Sequence, residues 1–463
     1  PTRGGRGARA PRARAMSSPV FAGAFVVSLV ACAALAVASQ SKVGQEPPPA
    51  FGGHLTRYLV AWAMCISGEW LGGPGVYALY SSYGLRYEQI AQLYVLGFLC
   101  SSVLGCFAGA FGDRFGRKKS ALLFCCLGVS TSALKQFADF RTLILCRCLE
   151  GAHGSLQYTA FESWLVAEHA RRDFPRALLN YSLALMFCIS YLAAIACGLV
   201  AQLGVDLFPA LHAIGPWRVG NWCVPIVLSG LVQASGFVYI ARNWSENYGV
   251  RPYTPVGSTV ERPTLAEGLL KPKVLLCGAL VSLFESSMFI FVFSWTPALS
   301  PNSNHASLPA GIIFAVYMMA CMSGASIYRL CSAGSSTAIL LCIFSIASAA
   351  MAVPAFVGIT EKTKHVNFLA FVVFEVCVGA YFPANASLKS RFVDDAHRAT
   401  AYNAFRTPMN LIVVLVLLTR LSIHRTFQLL FAQLLSGAML LAWFRVAEAP
   451  SQEAGNEAGP HVA

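Results

Sequence analysis

Among the charged residues inside long apolar runs, Glu69, Arg147, Glu285, Glu375 and Arg406 stand out. An ionised side chain in hydrocarbon costs several kcal/mol unless it faces a partner or a watery cavity, so each is a candidate for function. Arg147 lies in Arg147-Cys148-Leu149-Glu150-Gly151, and its guanidinium is suited to gripping an oxyanion. Pairing with Glu150, three residues on, or with Glu69 is the alternative use. Arg406, in Asn403-Ala404-Phe405-Arg406-Thr407-Pro408, supplies a second positive contact with Asn403 beside it. Glu69, Glu285 and Glu375 fit proton coupling or charge balance, because removing water from a carboxylate disfavours its charged form. The alternative is that each neutralises an arginine. Glu162 reads as a structural or gating pair, and His153 is the one histidine of nine retained as a candidate. The histidines form no ligand cluster, so no metal and no cofactor are expected.

These residues need long helices to carry them. The chain has 463 residues, 56% hydrophobic and only 12% charged, against about 25% charged in soluble domains. Its mean hydropathy is +0.59. A soluble multidomain enzyme is therefore excluded as the starting class, and spans of about 20 apolar residues become the unit to count. The net charge of +13 does not imply nucleic acid. Arg3, Arg6, Arg9, Arg12 and Arg14 precede Met16, so residues 1–15 read as a non-native leader, and the other basic residues concentrate in loops on one side. Most of the sixteen cysteines lie in apolar runs, where cysteine behaves as a small hydrophobe.

A first apolar run covers about 18–38, either as a cleaved signal or as an extra helix. Twelve more follow, at about 55–80, 88–111, 119–136, 142–166, 177–203, 219–241, 273–298, 309–331, 335–357, 366–387, 399–419 and 426–446. The expected organisation is 16–53 as an N-terminal apolar helix and linker, 54–241 as a six-helix bundle and 242–272 as a central loop. A second six-helix bundle covers 273–446, and 447–463 is a disordered tail. Basic loop residues favour one side by roughly two to one, with Arg114, Arg117, Lys118 and Lys119 on it and Lys135, Arg141 and Arg218 opposite. The positive-inside rule makes the richer side cytoplasmic. The sequon at Asn243 then faces the cytoplasm and stays unmodified.

The halves echo one another, as duplicated halves would. Glu69 precedes Trp70 and Pro74, and Glu285 precedes Trp295 and Pro297 at similar depth. Arg147 precedes Gly151-Ala152 by four, as Glu375 precedes Gly379-Ala380. Gly109 precedes Asp113-Arg114 by four, as Gly324 precedes Tyr328-Arg329.

The strongest short motif is Gly109-Ala110-Phe111-Gly112-Asp113-Arg114-Phe115-Gly116-Arg117-Lys118. Its glycines permit a tight turn and close helix approach. Gly109, Asp113, Arg114, Gly116 and Arg117 are the expected cytoplasmic gate, latching the two halves and releasing as they rock. The motif fits the loop signature of the major facilitator superfamily. The equivalent second-half loop has Tyr328 in place of the acid.

Further segments narrow the resemblance. They are Phe161-Glu162-Ser163-Trp164, Arg242-Asn243-Trp244-Ser245-Glu246-Asn247-Tyr248, Phe284-Glu285-Ser286, Gly311-Ile312-Ile313-Phe314, Tyr381-Phe382-Pro383 and Asn403-Ala404-Phe405-Arg406. With these the chain resembles the molybdate-anion transporter family over about residues 18–445. The resemblance implies an all-α membrane protein with the major facilitator fold, two six-helix bundles plus an extra, retained N-terminal helix. It implies high-affinity uptake of molybdate or a similar oxyanion across the cell membrane by alternating access, without enzyme activity. Arg147, Arg406 and Asn403 would bind the anion. The rival readings are a carrier of another small anion or sugar, and a non-transporting nutrient sensor. A monomer in the bilayer is expected.

Overall fold

In a computed structural model, residues 19–39, 48–248, 270–301, 308–331, 335–393, 398–419 and 421–457 are described. The expected leader 1–15 and most of the central loop, 249–269, lie outside them. The described chain is almost wholly helical. α1 (Pro19–Ala38) is followed by α2 (Pro49–Gly72), α3 (Val76–Ser82), α4 (Tyr87–Phe115), α5 (Arg117–Leu134), α6 (Phe140–Arg171), α7 (Arg176–Leu207) and α8 (Cys223–Asn243). The second half comprises α9 (Pro272–Leu299), α10 (Ala310–Cys331), α11 (Ser336–Ala352), α12 (Lys364–Phe392), α13 (Arg398–Leu418) and α14 (Ile423–Glu457). One antiparallel hairpin, β1 (His212–Ile214) with β2 (Trp217–Val219), interrupts the helices. Its strands are three residues each, too short to make a layer.

Among the described residues, nine helices are long and apolar enough to cross a membrane. The others of the twelve-run series, α2, α5, α6 and α13, fall below that mark. In α13 the described apolar stretch, Ala404–Leu418, is too short. In α2, α5 and α6 charged and polar residues, Glu69, Arg117 and Arg147 among them, lower the mean hydropathy. The candidates for function are thus what hides these helices from a hydropathy count.

The first of the twelve runs is two helices, not one. α2 stops at Gly72 and α3 begins at Val76, with Gly73-Pro74-Gly75 between them. Proline carries no N–H for the helix ladder and clashes with the preceding turn. Gly75 is required by packing, since a Cβ there would lie 1.9 Å from the Trp222 ring. At the other terminus α14 continues to Glu457, eleven residues into the segment expected to be disordered.

The two halves repeat one packing plan. α4 packs on α6 as α10 packs on α12, α5 on α8 as α11 on α14, and α2 on α7 as α9 on α13. The echoed glycines explain the first pair. A Cβ on Gly151 would come within 2.5 Å of Cys100 on α4, and one on Gly379 within 1.8 Å of the Cys321 carbonyl on α10. Small residues let the backbones approach, and van der Waals packing then holds helices whose lipid-facing sides gain nothing from burial.

The halves meet where α7 crosses α10 and where α4 packs on α13. At the first crossing Gly198 faces Gly311, and the Gly311 N–H donates to Gln202 Oε1 at 3.1 Å. α1 lies outside both halves against α10, with Phe21 edge-on to Phe368 at 4.9 Å.

Candidate functional site

Asp139 starts the helix that matters most. It caps α6 by accepting from the Thr142 N–H at 2.9 Å, which satisfies an otherwise orphaned donor. That bond holds the exposed Asp139 carboxyl below its usual range. Two turns later α6 presents Arg147, on the side that packs against α4.

Arg147 NH1 donates to Glu150 Oε2 at 2.7 Å, and Glu150 Oε1 takes the Lys135 ammonium. One carboxylate therefore serves two cations. The guanidinium lies over the Tyr94 ring at 4.5 Å and the Tyr80 ring at 5.0 Å. Desolvated cation–π contacts of this kind contribute about 2 kcal/mol. Gly97 on α4 faces the Arg147 stem and leaves it room, the nearest approach being 3.7 Å. Arg147 Nε and NH2 are buried and have no hydrogen-bond partner. These two N–H groups form the side of the guanidinium fork that grips an oxyanion in bidentate fashion.

Lys135 is a correction to the sequence reading, which placed it among loop charges. It follows the last turn of α5 and its side chain is only 10% exposed. Its partner Glu150 pulls it inward, because a buried cation needs a counter-charge. Tyr80 and Tyr94 were also missed. Aromatic residues in apolar runs carry no signal of their own, and only the α2–α3 break turns Tyr80 toward Arg147.

Glu69 does not pair with Arg147. It lies 3.2 Å from His153 Nδ1 and keeps 37% side-chain exposure. His153 stacks on Phe124 at 4.0 Å, and its Nε2 has no partner. Glu285 accepts from the Tyr381 hydroxyl at 3.3 Å, and Asn385 donates to that hydroxyl at 2.8 Å. The charges of Lys389 and Arg406 act on Glu285. Arg406 is exposed, and no described contact joins it to Arg147 or to Glu285. The Asn403 side chain lies outside the described residues. Glu375 is buried between α10 and α12, where it accepts from the Cys321 thiol at 2.9 Å. Glu162 is exposed near the far end of α6.

One end of the molecule is closed across the halves by aromatic rings. Phe293 of α9 meets Tyr94 at 5.1 Å, Tyr87 at 5.3 Å and Tyr77 at 5.7 Å, all edge-on. Phe98 meets Phe289 at 5.3 Å below them. Tyr94 therefore touches both the closure and Arg147.

The opposite end carries the glycine-rich motif. Arg117 donates to Asp113 Oδ1 at 2.7 Å and to the Ser163 carbonyl at 3.1 Å. Arg114 lies over Phe115 at 5.5 Å, and Gly109 faces Thr159. Gly116, at φ 112°, lets α4 turn into α5. Glu246 closes that turn by accepting from the Lys118 N–H at 2.8 Å, and the Arg117 N–H donates to the Asn247 carbonyl at 3.0 Å. Trp244 stacks on Trp164 at 3.9 Å beside it. Every one of these contacts lies within the first half or the start of the central loop, so among the described residues the motif makes no latch to the second half. Replacing Gly116 with alanine is expected to destabilise the protein by roughly 1–3 kcal/mol, since the φ is strained for any side chain. A Cβ there would also sit 2.5 Å from Glu246. The thermal midpoint of the purified variant checks this, and an unchanged midpoint would refute it.

Comparison with known proteins places this geometry. The profile of a family described as sugar transporters with twelve transmembrane segments matches residues 19–378. A molybdate-anion transporter of Xenopus tropicalis is 31% identical over 407 residues, covering 85% of this chain and 84% of that protein. The chain belongs to the molybdate-anion transporter family. A member from Takifugu rubripes is 29% identical over 429 residues, covering 85% of this chain and 86% of its own. Among solved structures, a D-xylose-proton symporter superposes with a TM-score of 0.63 at 12% identity, covering 84% of this chain and 96% of its own. A nucleoside transporter gives 0.59 at 12% identity, over 85% and 98%. These place the family in the major facilitator fold, a multi-pass membrane protein of two six-helix bundles, here with α1 added. The segments that carry the family resemblance surround the site: Phe161–Trp164 and Arg242–Tyr248 brace the motif end, and Phe284–Ser286 bears Glu285.

Proposed function

We propose that this chain is a secondary active carrier that takes molybdate, or a closely similar tetrahedral oxyanion, across the cell membrane by alternating access. The observation that carries the reading is Arg147. It is buried, it shares its one carboxylate with Lys135, and its Nε and NH2 donors are unpartnered. Two cations against one carboxylate leave a positive site, which suits a dianion and gives a neutral sugar no advantage. The relatives named for molybdate supply the substrate.

In this reading the motif end faces the cytoplasm. Removing Lys135 from the loop charges widens the basic excess on that side. The closed Phe293 end then faces outward, and the unlatched motif end is the release side. Glu69, half-buried and paired with His153, takes up a coupling proton. Glu285 balances Lys389 and Arg406 on the way out. Arg406 and Asn403 act after Arg147 rather than together with it.

The test is uptake in cells that lack their own molybdate transport. Expression should give saturable accumulation from low concentrations, and a proton uncoupler should abolish it. Glu69→Gln should leave exchange of internal for external molybdate but lose accumulation driven by the proton gradient. No accumulation, with the protein confirmed at the surface, would move the reading to another oxyanion or to a sensor. Competition by sulfate measures how finely the site discriminates.

A further inference from the structure

We infer that Glu150 is an internal stand-in for the substrate's charge, and that it takes up a proton when the oxyanion binds. The inference rests on the proposed anion site and concerns its regulation. Glu150 bridges both cations, with Oε2 on Arg147 and Oε1 on Lys135. Arg147 gives only NH1 to it, leaving the Nε–NH2 edge of the same guanidinium for an incoming anion. Carboxylate and oxyanion would then share one cation from two edges, where the Arg147 and Glu150 side chains are only 11% and 17% exposed. Two anions so placed repel across a medium with little water to screen them.

The other groups around Glu150 do not relieve that repulsion. From α3 comes Tyr80 and from α4 Tyr94, both neutral phenols that face Arg147. From the end of α5 comes Lys135, and from α6 come Cys146, Arg147 and His153. His153 is already engaged by Glu69. Arg147, one of the two cations on Glu150, is the one the oxyanion claims. Once it is shared, the carboxylate is the group that can surrender its charge, by accepting one proton from water. No bond is made or broken beyond that O–H. By linkage, if binding promotes protonation, protonation promotes binding by the same factor. Glu150 therefore makes affinity fall as pH rises, and delivers the anion when it loses its proton on the less acidic side. With Glu69 it gives two proton acceptors for the two charges of a dianion.

The test uses the purified full-length protein. Molybdate binding and the protons taken up with it are measured by calorimetry in buffers of different ionisation enthalpy, between about pH 6.5 and 8. Wild type should take up protons on binding, and Glu150→Gln should take up about one fewer and bind with a flatter pH dependence. Infrared difference spectra should show a protonated carboxyl band appearing on molybdate addition in wild type and missing in Glu150→Gln. Proton uptake unchanged in Glu150→Gln would overturn the inference while leaving the transport reading intact. So would a folded Glu150→Gln that no longer binds, since Glu150 would then be an organiser of the cations. If Glu150→Gln does not fold, the wild-type infrared band decides, and its absence overturns the inference. Wild type that binds neither molybdate nor sulfate would instead overturn the anion-site reading, and the inference with it.

Discussion

Arg147→Ala should lower molybdate uptake, as Vmax/KM, at least about a hundredfold while the protein still reaches the membrane. The substitution removes the unpartnered fork that would receive the anion in the proposed site, and one of the two cations holding Glu150. Breaking a buried pair by deleting one partner typically costs 3–5 kcal/mol, because the other charge is left uncompensated. The loss of the contacts to Tyr80 and Tyr94 adds to this. Arg147→Lys keeps the charge and loses the planar fork, so it should recover only part of the activity. Uptake kinetics normalised to surface protein decide the matter. Wild-type kinetics in Arg147→Ala would remove the site from α6 altogether.

Phe293→Ala should unlock the closed end. Phe293 is only 1% exposed and meets three tyrosines from α3 and α4. Truncating a buried phenylalanine to alanine costs about 3–5 kcal/mol of packing. Those contacts cross between the halves, so much of the cost falls on the closed conformation rather than on folding. A two-state carrier whose closed form loses that much shifts its population by a factor on the order of a hundred or more. Amide hydrogen exchange should rise over 76–94, at the opened end. Transport should become slow or leaky, since the halves no longer return to the closed state. Phe293→Tyr should largely preserve closure. Unchanged exchange over 76–94 in Phe293→Ala would show that the rings decorate the interface rather than hold it.

The two predictions are joined by Tyr94, which lies against Phe293 on one side and under Arg147 on the other. An anion arriving at the guanidinium and a ring leaving the closure both act on one side chain. This is a direct physical route from site occupancy to the state of the closed end. Tyr94 also explains why the site stands near the closed end rather than at mid-depth. Arg147 is only about 12 Å along α6 from its cap, at 1.5 Å per residue.

Much of this was legible in the chain itself. Apolar runs of spanning length, separated by short polar loops, dictate helices in a bilayer, because backbone groups there must bond within their own segment. The echo of charge and glycine at Arg147–Gly151 and Glu375–Gly379 marks α6 and α12 as the helices packed tightest on α4 and α10. The cost of a charge in hydrocarbon singled out Arg147, Glu69, Glu285, Glu375 and Arg406 before any contact was known. These are local properties, written in residue type and spacing.

Pairing is not local, and tertiary structure decided it. Spacing allowed Arg147 to meet Glu150 or Glu69, and the packing of α5 against α6 chose Glu150 by bringing Lys135 to its other oxygen. Glu69 went to His153 instead. Arg406 stays exposed with no described contact to Arg147, while Glu285 takes the Tyr381 hydroxyl. Lys135 changed from a loop charge to a buried member of the site. Which tyrosines cover the guanidinium depended on the break at Gly73-Pro74-Gly75, where Trp222 of the last first-half loop fills the space against Gly75. Residue type and spacing determined which groups could not sit in lipid alone, because desolvation is a property of one side chain. Only the tertiary structure determined what each would sit beside, because a Coulomb partner is set by distance, and distance by how helices far apart in sequence pack.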